Sequence, residues 1–460
     1  MKFGGTSVAD TKAFENAARV VAAKRYASPV VVVSAMSGIT DALLASVNRA
    51  REQVDLAAAS LHASFERHKT VAQDILPHDR AVRFIVELEH ASESIGELLN
   101  HCAKYPSLRR AIQDEVVSYG ETLSSKLLAE VLASHEVAAE HVDARLCILT
   151  NDEHGSAAPL PAETFAATRE KLQPLIDKKM VPVMGGFIAA NPDGQTTTLG
   201  RGGSDYTAAL VGAALDAEEI QIWTDVNGVL TADPRVVPDA ETVERLSFGE
   251  AAELAYFGAK VLHPKTIQPA IESSILVRIC NSREPDKTGT VVCAETETSP
   301  RTVKAIAHKT GVTTVQITSA RMLGAYGFLR ALFEVFERHR TVVDVVTTSE
   351  VSVSLSLDDA SALPAIVEDL EKLGSVRVER GRAIICVVGE GLRGTPGIAA
   401  SVFSTISDIN VSLISQGASS INLTFAIEEE RAIEAVQRLH KAFFSAVATT
   451  KAQRSSASGL

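Results

Sequence analysis

Lys2, Gly4 and Gly5 stand at the head of the chain, just before a helical pattern marked by Phe14, Ala18 and Val21. Glycines tolerate positive φ and let backbone N–H groups close on an anion, and a neighbouring lysine adds a point charge, so this turn suits a phosphate. Ser7 is placed to cap the helix that follows. The segment matches neither the P-loop nor the GxGxxG fingerprint, and a plain strand-to-helix turn explains the two glycines equally well. A second donor-rich turn, Ser34 to Asp41 with Ser37, Gly38 and Thr40, closes the apolar run 30–33 at the edge where open α/β sheets bind ligands. Ser118, Tyr119, Gly120 and Glu121 then precede Leu123, Leu127 and Leu128, which puts Glu121 in the first turn of a helix, where an acidic residue ordinarily complements the dipole.

The most specific segment is TTTLGRGGSDYT at 196–207. A guanidinium held between glycines, as Arg201 is, can grip a carboxylate with two parallel bonds, and core packing asks for no such arrangement. Ser204 and Asp205 open the next helix. In the stretch 220–235, Asn227 with Gly228 and Asp233 with Pro234 mark turns. Ser247, Phe248, Gly249 and Glu250 read as a capping box, and Lys260 and His263 fall near the end of the helix it opens. A lysine there is ordinarily a solvated charge, and His263 beside Pro264 reads as structural.

These residues must be positioned by a scaffold, and the pattern describes one. Strands are expected at 30–34, 180–184, 220–223 and 275–280, alternating with helical stretches such as 204–215, which favours a mainly parallel sheet covered by helices. Residues 52–135 read as an almost continuous helical excursion. The polar segment 294–303 reads as a linker. Beyond it, 343–355 (VDVVTTSEVSVSL) aligns without gaps on 411–423 (VSLISQGASSINL), each copy following a helix opened by a glycine, Gly327 or Gly397. Each copy is too small to bury its own sheet, so the two are expected side by side.

Length and composition agree with this. A chain of 460 residues suggests about three domains. Charged residues at 22% with 46% hydrophobic residues fit a folded globular protein, and a net charge of -12 argues against a general nucleic-acid surface. Five scattered cysteines without CxxC spacing read as reduced thiols rather than a zinc or disulfide framework. No stretch has the length or apolarity of a membrane span, so the cytoplasm is the expected location.

Taken together, the motifs resemble the signature of the aspartokinases, within the amino-acid kinase superfamily, and the likeness covers nearly the whole chain. The resemblance implies an amino-acid-kinase α/β domain at 1–293, two α+β ACT domains (βαββαβ) at 304–385 and 386–449, and a disordered tail at 450–460. It implies transfer of the ATP γ-phosphoryl group to the β-carboxylate of L-aspartate, with Mg²⁺ and without direct metal ligands from the chain. Lys2, Asp205 and Lys260 are the implied catalytic residues. Lys2, Gly4, Gly5, Ser34, Thr224, Asp225, Leu230, Arg235 and Lys260 are implied for ATP, although many relatives carry an aromatic residue where Leu230 stands. For aspartate they are Thr40, Glu121, Arg201 and Asp205. The chain is most similar to the lysine-inhibited, monofunctional type, which implies a homodimer joined through ACT domains and an L-lysine pocket built from Met322, Phe328, Leu329, Val343, Asp344, Ser349 and Glu350. Ala325 stands where those relatives often carry serine. No fused second enzyme is expected after the second repeat. Only Met1 precedes Lys2, where the family usually has several apolar residues, so the expectation is either a truncated start or a first strand that is barely there. Another amino-acid kinase, or a silent amino-acid sensor, are the competing readings.

The residue types also suit this chemistry. A side-chain carboxylate with an ordinary pKa of about 3.9 is already anionic at neutral pH, so no general base is required. The task is to bring an anion up to a triphosphate and stabilise the transferring group, which calls for lysines, backbone donors and magnesium.

Overall fold

The computed structural model describes residues 1–258, 264–294, 301–324 and 326–445. Backbone contacts divide the chain into two compact units: Met1–Val229 with Glu244–Phe248 and Val261–Glu295, and Leu230–Val243 with Gly249–Lys260 and Thr296–Leu460.

The first unit is built on an eight-stranded sheet in the order Ala139–Val142, Val181–Gly185, Val31–Val33, Lys2–Phe3, Glu219–Thr224, Leu276–Asn281, Thr290–Cys293, Arg245–Ser247. Every neighbouring pair is parallel except Leu276–Asn281 with Thr290–Cys293. The strands are apolar runs because helices cover them on both sides. Val31, Val33, Val181 and Val183 join one core with Phe14 and Val21 of helix Thr11–Ala23 and with Leu127, Leu128 and Leu132 of helix Arg109–Ser134. On the other face helix Gly203–Ala214 packs so closely that a Cβ on Gly212 would lie 2.7 Å from Ile220. The helical excursion is observed as Val54–Ala59, His62–Ile75, His78–Lys104 and Arg109–Ser134.

The first strand is two residues long, yet it is central. Lys2 and Phe3 pair with Val32 and Val33 on one side and with Ile222 and Trp223 on the other, and Phe3 stacks on Trp223. Ser7 does not cap the next helix. It lies in a 3-10 turn, Gly5–Val8, with its hydroxyl bonded to Trp223 O and Ser282 Oγ, and the cap is Asp10, whose carboxylate accepts from Ala13 N. The extended conformation of Asp10 gives it the cap geometry that helical turn residues lack.

The second unit carries a six-stranded antiparallel sheet in the order Val346–Thr348, Ser352–Leu357, Ala305–Thr318, Ser375–Val388, Asn422–Glu428, Val411–Gln416. The two repeat copies supply the hairpins at its two edges, and the preceding helices, Phe328–Arg338 and Ile398–Thr405, both start from a glycine at positive φ. The two long central strands serve two cores. Val315 and Ile317 pack with Leu332, Phe336 and Ile366, whereas Ile306, Ile385 and Val387 pack with Val402, Phe425 and Leu439. Segments upstream of the expected linker also belong here: Ala232, Val236 and Val237 lie in the core that contains Phe425. No helix among the described residues is long and apolar enough to cross a membrane.

Candidate active site

Two chain turns at the C-terminal ends of parallel strands, and a third that follows Thr196–Thr198 of an antiparallel hairpin, meet one long helix around a cavity of about 570 Å³ in the first unit. The first turn follows Phe3. Neither Gly4 nor Gly5 has positive φ, contrary to the reading from sequence; Gly4 sits at φ -71. At Gly5 the requirement is space, since a Cβ would lie 2.9 Å from Ala35 O. The second turn runs from Ser34 into helix Ile39–Arg49. It is tied to the first by bonds from Ser34 N to Phe3 O and from Ser37 N to Gly5 O.

The third turn carries Arg201. Gly200 and Gly202 both take positive φ, at 73 and 76, and Gly202 caps helix Gly203–Ala214, so the chain reverses sharply around the arginine. Arg201 is exposed and makes no hydrogen bond or ion pair with a described residue. Asp205, in the first turn of the helix, forms an ion pair with Lys2 at 2.8 Å, both side chains being largely buried.

Helix Arg109–Ser134 completes the wall with Gln113, Asp114, Val117 and Glu121. Glu121 does not stand in a first turn; it lies mid-helix, so dipole complementation does not explain it. The helix comes close because residue 120 is glycine: a Cβ there would lie 2.9 Å from the Ala35 side chain. Glu121 is 4% exposed, and its Oε2 has no hydrogen-bond partner among the described residues. Burial pushes its carboxyl up to about 8, against the opposing pull of the Ala35 amide and the Lys2 charge. A carboxyl left open in this way is suited to receive an ammonium group. Asp114, also buried, is the opposite case: Thr198 Oγ1, His154 Nδ1 and Gly155 N all bond to it.

The cavity thus brings together Lys2, Gly5, Ser34, Thr40, Glu121, Arg201 and Asp205. Other residues expected at a nucleotide lie elsewhere. Gly4 bonds through its N–H to Trp223 O, beside Thr224 at the strand end, and Thr224 donates to the exposed Asp225. Leu230 and Arg235 belong to the second unit, where Leu230 bridges Thr242 and the exposed Arg235 forks onto Asp233 through Nε and Nη2. Lys260, His263 and Ala325 lie outside the described residues. The reading from sequence missed Gln113, Asp114 and Phe187. For Asp114 a signal exists, because it precedes Glu121 by two helical turns and therefore shares its face.

The expected effector residues all fall in the second unit. Met322, Phe328 and Val343 pack at the margin of the core containing Val315 and Leu332, whereas Leu329 and Glu350 are exposed. The Ser349 hydroxyl bonds to Ser352 within a tight turn. Asp344 accepts a hydrogen bond from Tyr256 OH, and burial together with the neighbouring Asp358 raises its carboxyl above the usual range.

Similarity to known proteins extends along most of the chain. Residues 1–281 match the amino acid kinase family and residues 385–443 match an ACT domain. The lysine-sensitive aspartokinase 3 of Escherichia coli is 39% identical over 96% of this chain and 98% of its own length. Aspartokinase 3 of Arabidopsis thaliana chloroplasts is also 39% identical, over 96% of this chain and 81% of its own. Among solved structures, E. coli aspartokinase III in complex with aspartate and ADP superposes with a TM-score of 0.82 at 38% identity, covering 96% of this chain and 99% of the other. The same enzyme in complex with lysine and aspartate gives 0.80 at 39% identity, covering 96% and 98%. The fold is therefore that of an amino acid kinase followed by ACT modules, and the chain belongs to the aspartokinase family.

Proposed function

We propose that this protein transfers the γ-phosphoryl group of ATP to the β-carboxylate of L-aspartate, forming 4-phospho-L-aspartate, the first step toward lysine, threonine and methionine, under feedback inhibition by L-lysine. The observation that carries the reading is the pairing, in one cavity, of an open buried carboxyl at Glu121 with an uncommitted guanidinium at Arg201, beside the Lys2 and Asp205 ion pair. An α-amino acid presents the complementary charges. Glu121 receives the ammonium, Arg201 grips the α-carboxylate, and Thr40 adds a hydroxyl. The relatives solved with aspartate and ADP, and with lysine and aspartate, support the same assignment.

The chain's own residues account for the requirements of the reaction. The β-carboxylate is already ionised, so it needs positioning rather than deprotonation. Lys2, held at 2.8 Å by Asp205, is pre-set beside the close-packed turn of Gly4 and Gly5, where its point charge suits phosphate oxygens. Lys260 is proposed as a second phosphate-binding cation, with Ser34, Thr224, Asp225, Leu230 and Arg235 as nucleotide contacts. No cluster of three or more His, Cys, Asp or Glu that could hold a metal ion is found among the described residues. Magnesium carried on nucleotide phosphates needs only one or two carboxylates, and Asp205 on the cavity wall would help to position it. When bound, magnesium offsets the charge on the transferring group.

We further infer that residues 304–385 and 386–449 act as the sensing modules, that two copies join through them in the cytoplasm, and that Asp344 and Glu350 take the effector's amines. The decisive experiment traps acyl phosphate as hydroxamate from aspartate, ATP and magnesium, with and without lysine or threonine. Aspartate-dependent hydroxamate that falls with lysine is expected. Its absence overturns the assignment.

A further inference from the structure

We propose that Asp114 is a positioning residue that braces the Arg201 turn and thereby sets the affinity of the cavity for the α-carboxylate of the amino-acid substrate. The proposal rests on the aspartate reading above. Arg201 has no hydrogen-bond or ion-pair partner among the described residues, so its guanidinium is placed only by the backbone that carries it. That backbone leans on the loop at 154–157. A Cβ on Gly200 would lie 3.0 Å from Ser156 Oγ and 3.4 Å from Gly155 O, and Ala157 N donates to Thr198 O at 2.8 Å.

Asp114 holds both sides of this contact to the helix behind them. Its Oδ2 accepts from Gly155 N and His154 Nδ1, each at 2.9 Å, on the loop side. Its Oδ1 accepts from Thr198 Oγ1 at 2.7 Å on the strand side, two residues before Gly200. The carboxylate is fully buried, with both oxygens engaged by donors of the chain, so it serves as a clamp rather than a ligand. Two turns further along the same helical face, Glu121 keeps an oxygen open. One helix therefore carries one carboxylate for the substrate and one for the wall opposite it.

Asp114→Ala removes both acceptor oxygens, which leaves the Gly155 N–H and the buried Thr198 hydroxyl without them. The expected result is an aspartate KM about tenfold higher, with kcat and the ATP KM within about twofold of wild type. His154 lines no part of the cavity, so it supplies an independent test. His154→Ala removes one of the three donors and should raise the aspartate KM about threefold, whereas His154→Asn, which offers an N–H near the Nδ1 position, should restore it. The His154 pair decides the matter if Asp114→Ala does not fold. Unchanged aspartate KM in these variants, or equal losses in the aspartate and ATP constants, would overturn the brace. A wild-type protein that forms no aspartate hydroxamate would instead remove the substrate reading itself.

Discussion

The two regions proposed to offer carboxylates to an ammonium group are built differently. Around Glu121 the wall is finished: the side chain is 4% exposed, the helix is let in by Gly120, and the neighbouring turns are laced by backbone bonds. Around Asp344 and Glu350 it is open. Glu350 and Leu329 face solvent, and Asp344 is half-buried, with one oxygen bonded to Tyr256 and the other without a partner among the described residues. A single chain thus assembles the proposed substrate site in advance, which a transition state requires, whereas the proposed effector region, on this reading, still needs an addition. The proposed second copy and its ligand supply that addition.

The comparison can be broken most sharply at Lys2. Lys2→Ala should lower kcat by roughly 10² to 10³ while thermal melting remains cooperative, the scale of one lost transition-state donor. Near-normal turnover would show that the ion pair with Asp205 is only structural. Arg201→Lys should raise the aspartate KM by about 10- to 100-fold, because a point charge cannot reproduce a two-pronged grip. Steady-state kinetics with varied aspartate would check it.

The buried carboxyl gives a pH signature. Glu121 titrates at about 8 in the folded protein, so its receptive, ionised form grows as pH rises. The aspartate KM should fall by up to about tenfold per unit between pH 6 and 8 and then level off. Glu121→Gln should show a high KM without that slope. Stability runs the other way. Between the ordinary value of 4.5 and about 8 the folded state keeps a proton that the unfolded chain has lost, so this group favours folding least above 8 and the cost is absent below 4.5. The smallest effect belongs to the open region. Glu350→Ala should raise the lysine concentration for half-inhibition about threefold, as for an exposed charge, and a shift above a hundredfold would mean that the pocket is as finished as the substrate site.

Much of the proposed substrate site was legible in the sequence because its chemistry is local. Arg201 between two glycines, Asp205 at the next helix start and the hydroxyl-rich turn after residue 33 occupy the places the motifs suggest. The errors came from properties that a short window does not hold. Glu121 reads as a first-turn residue because SYGE resembles a helix start, but the helix had begun at Arg109. Ser7 reads as a cap by composition, whereas the extended backbone at Asp10 decides which side chain can reach the helix amides. Gly5 is glycine for want of space against Ala35, a neighbour thirty residues away in the chain.

By itself, then, the amino-acid order determined the alternating α/β pattern, the repeat in the second half and the residue types able to bind an amino acid and a phosphate. Only the tertiary structure decided which carboxylate stays open. Asp114 and Glu121 are equivalent by spacing and face, yet three donors from distant segments close on one and none reaches Oε2 of the other. Tertiary packing likewise decided that two long strands, Ala305–Thr318 and Ser375–Val388, are shared by two cores, because a strand's pairing partners are chosen by burial across the whole sheet and not by its own pattern.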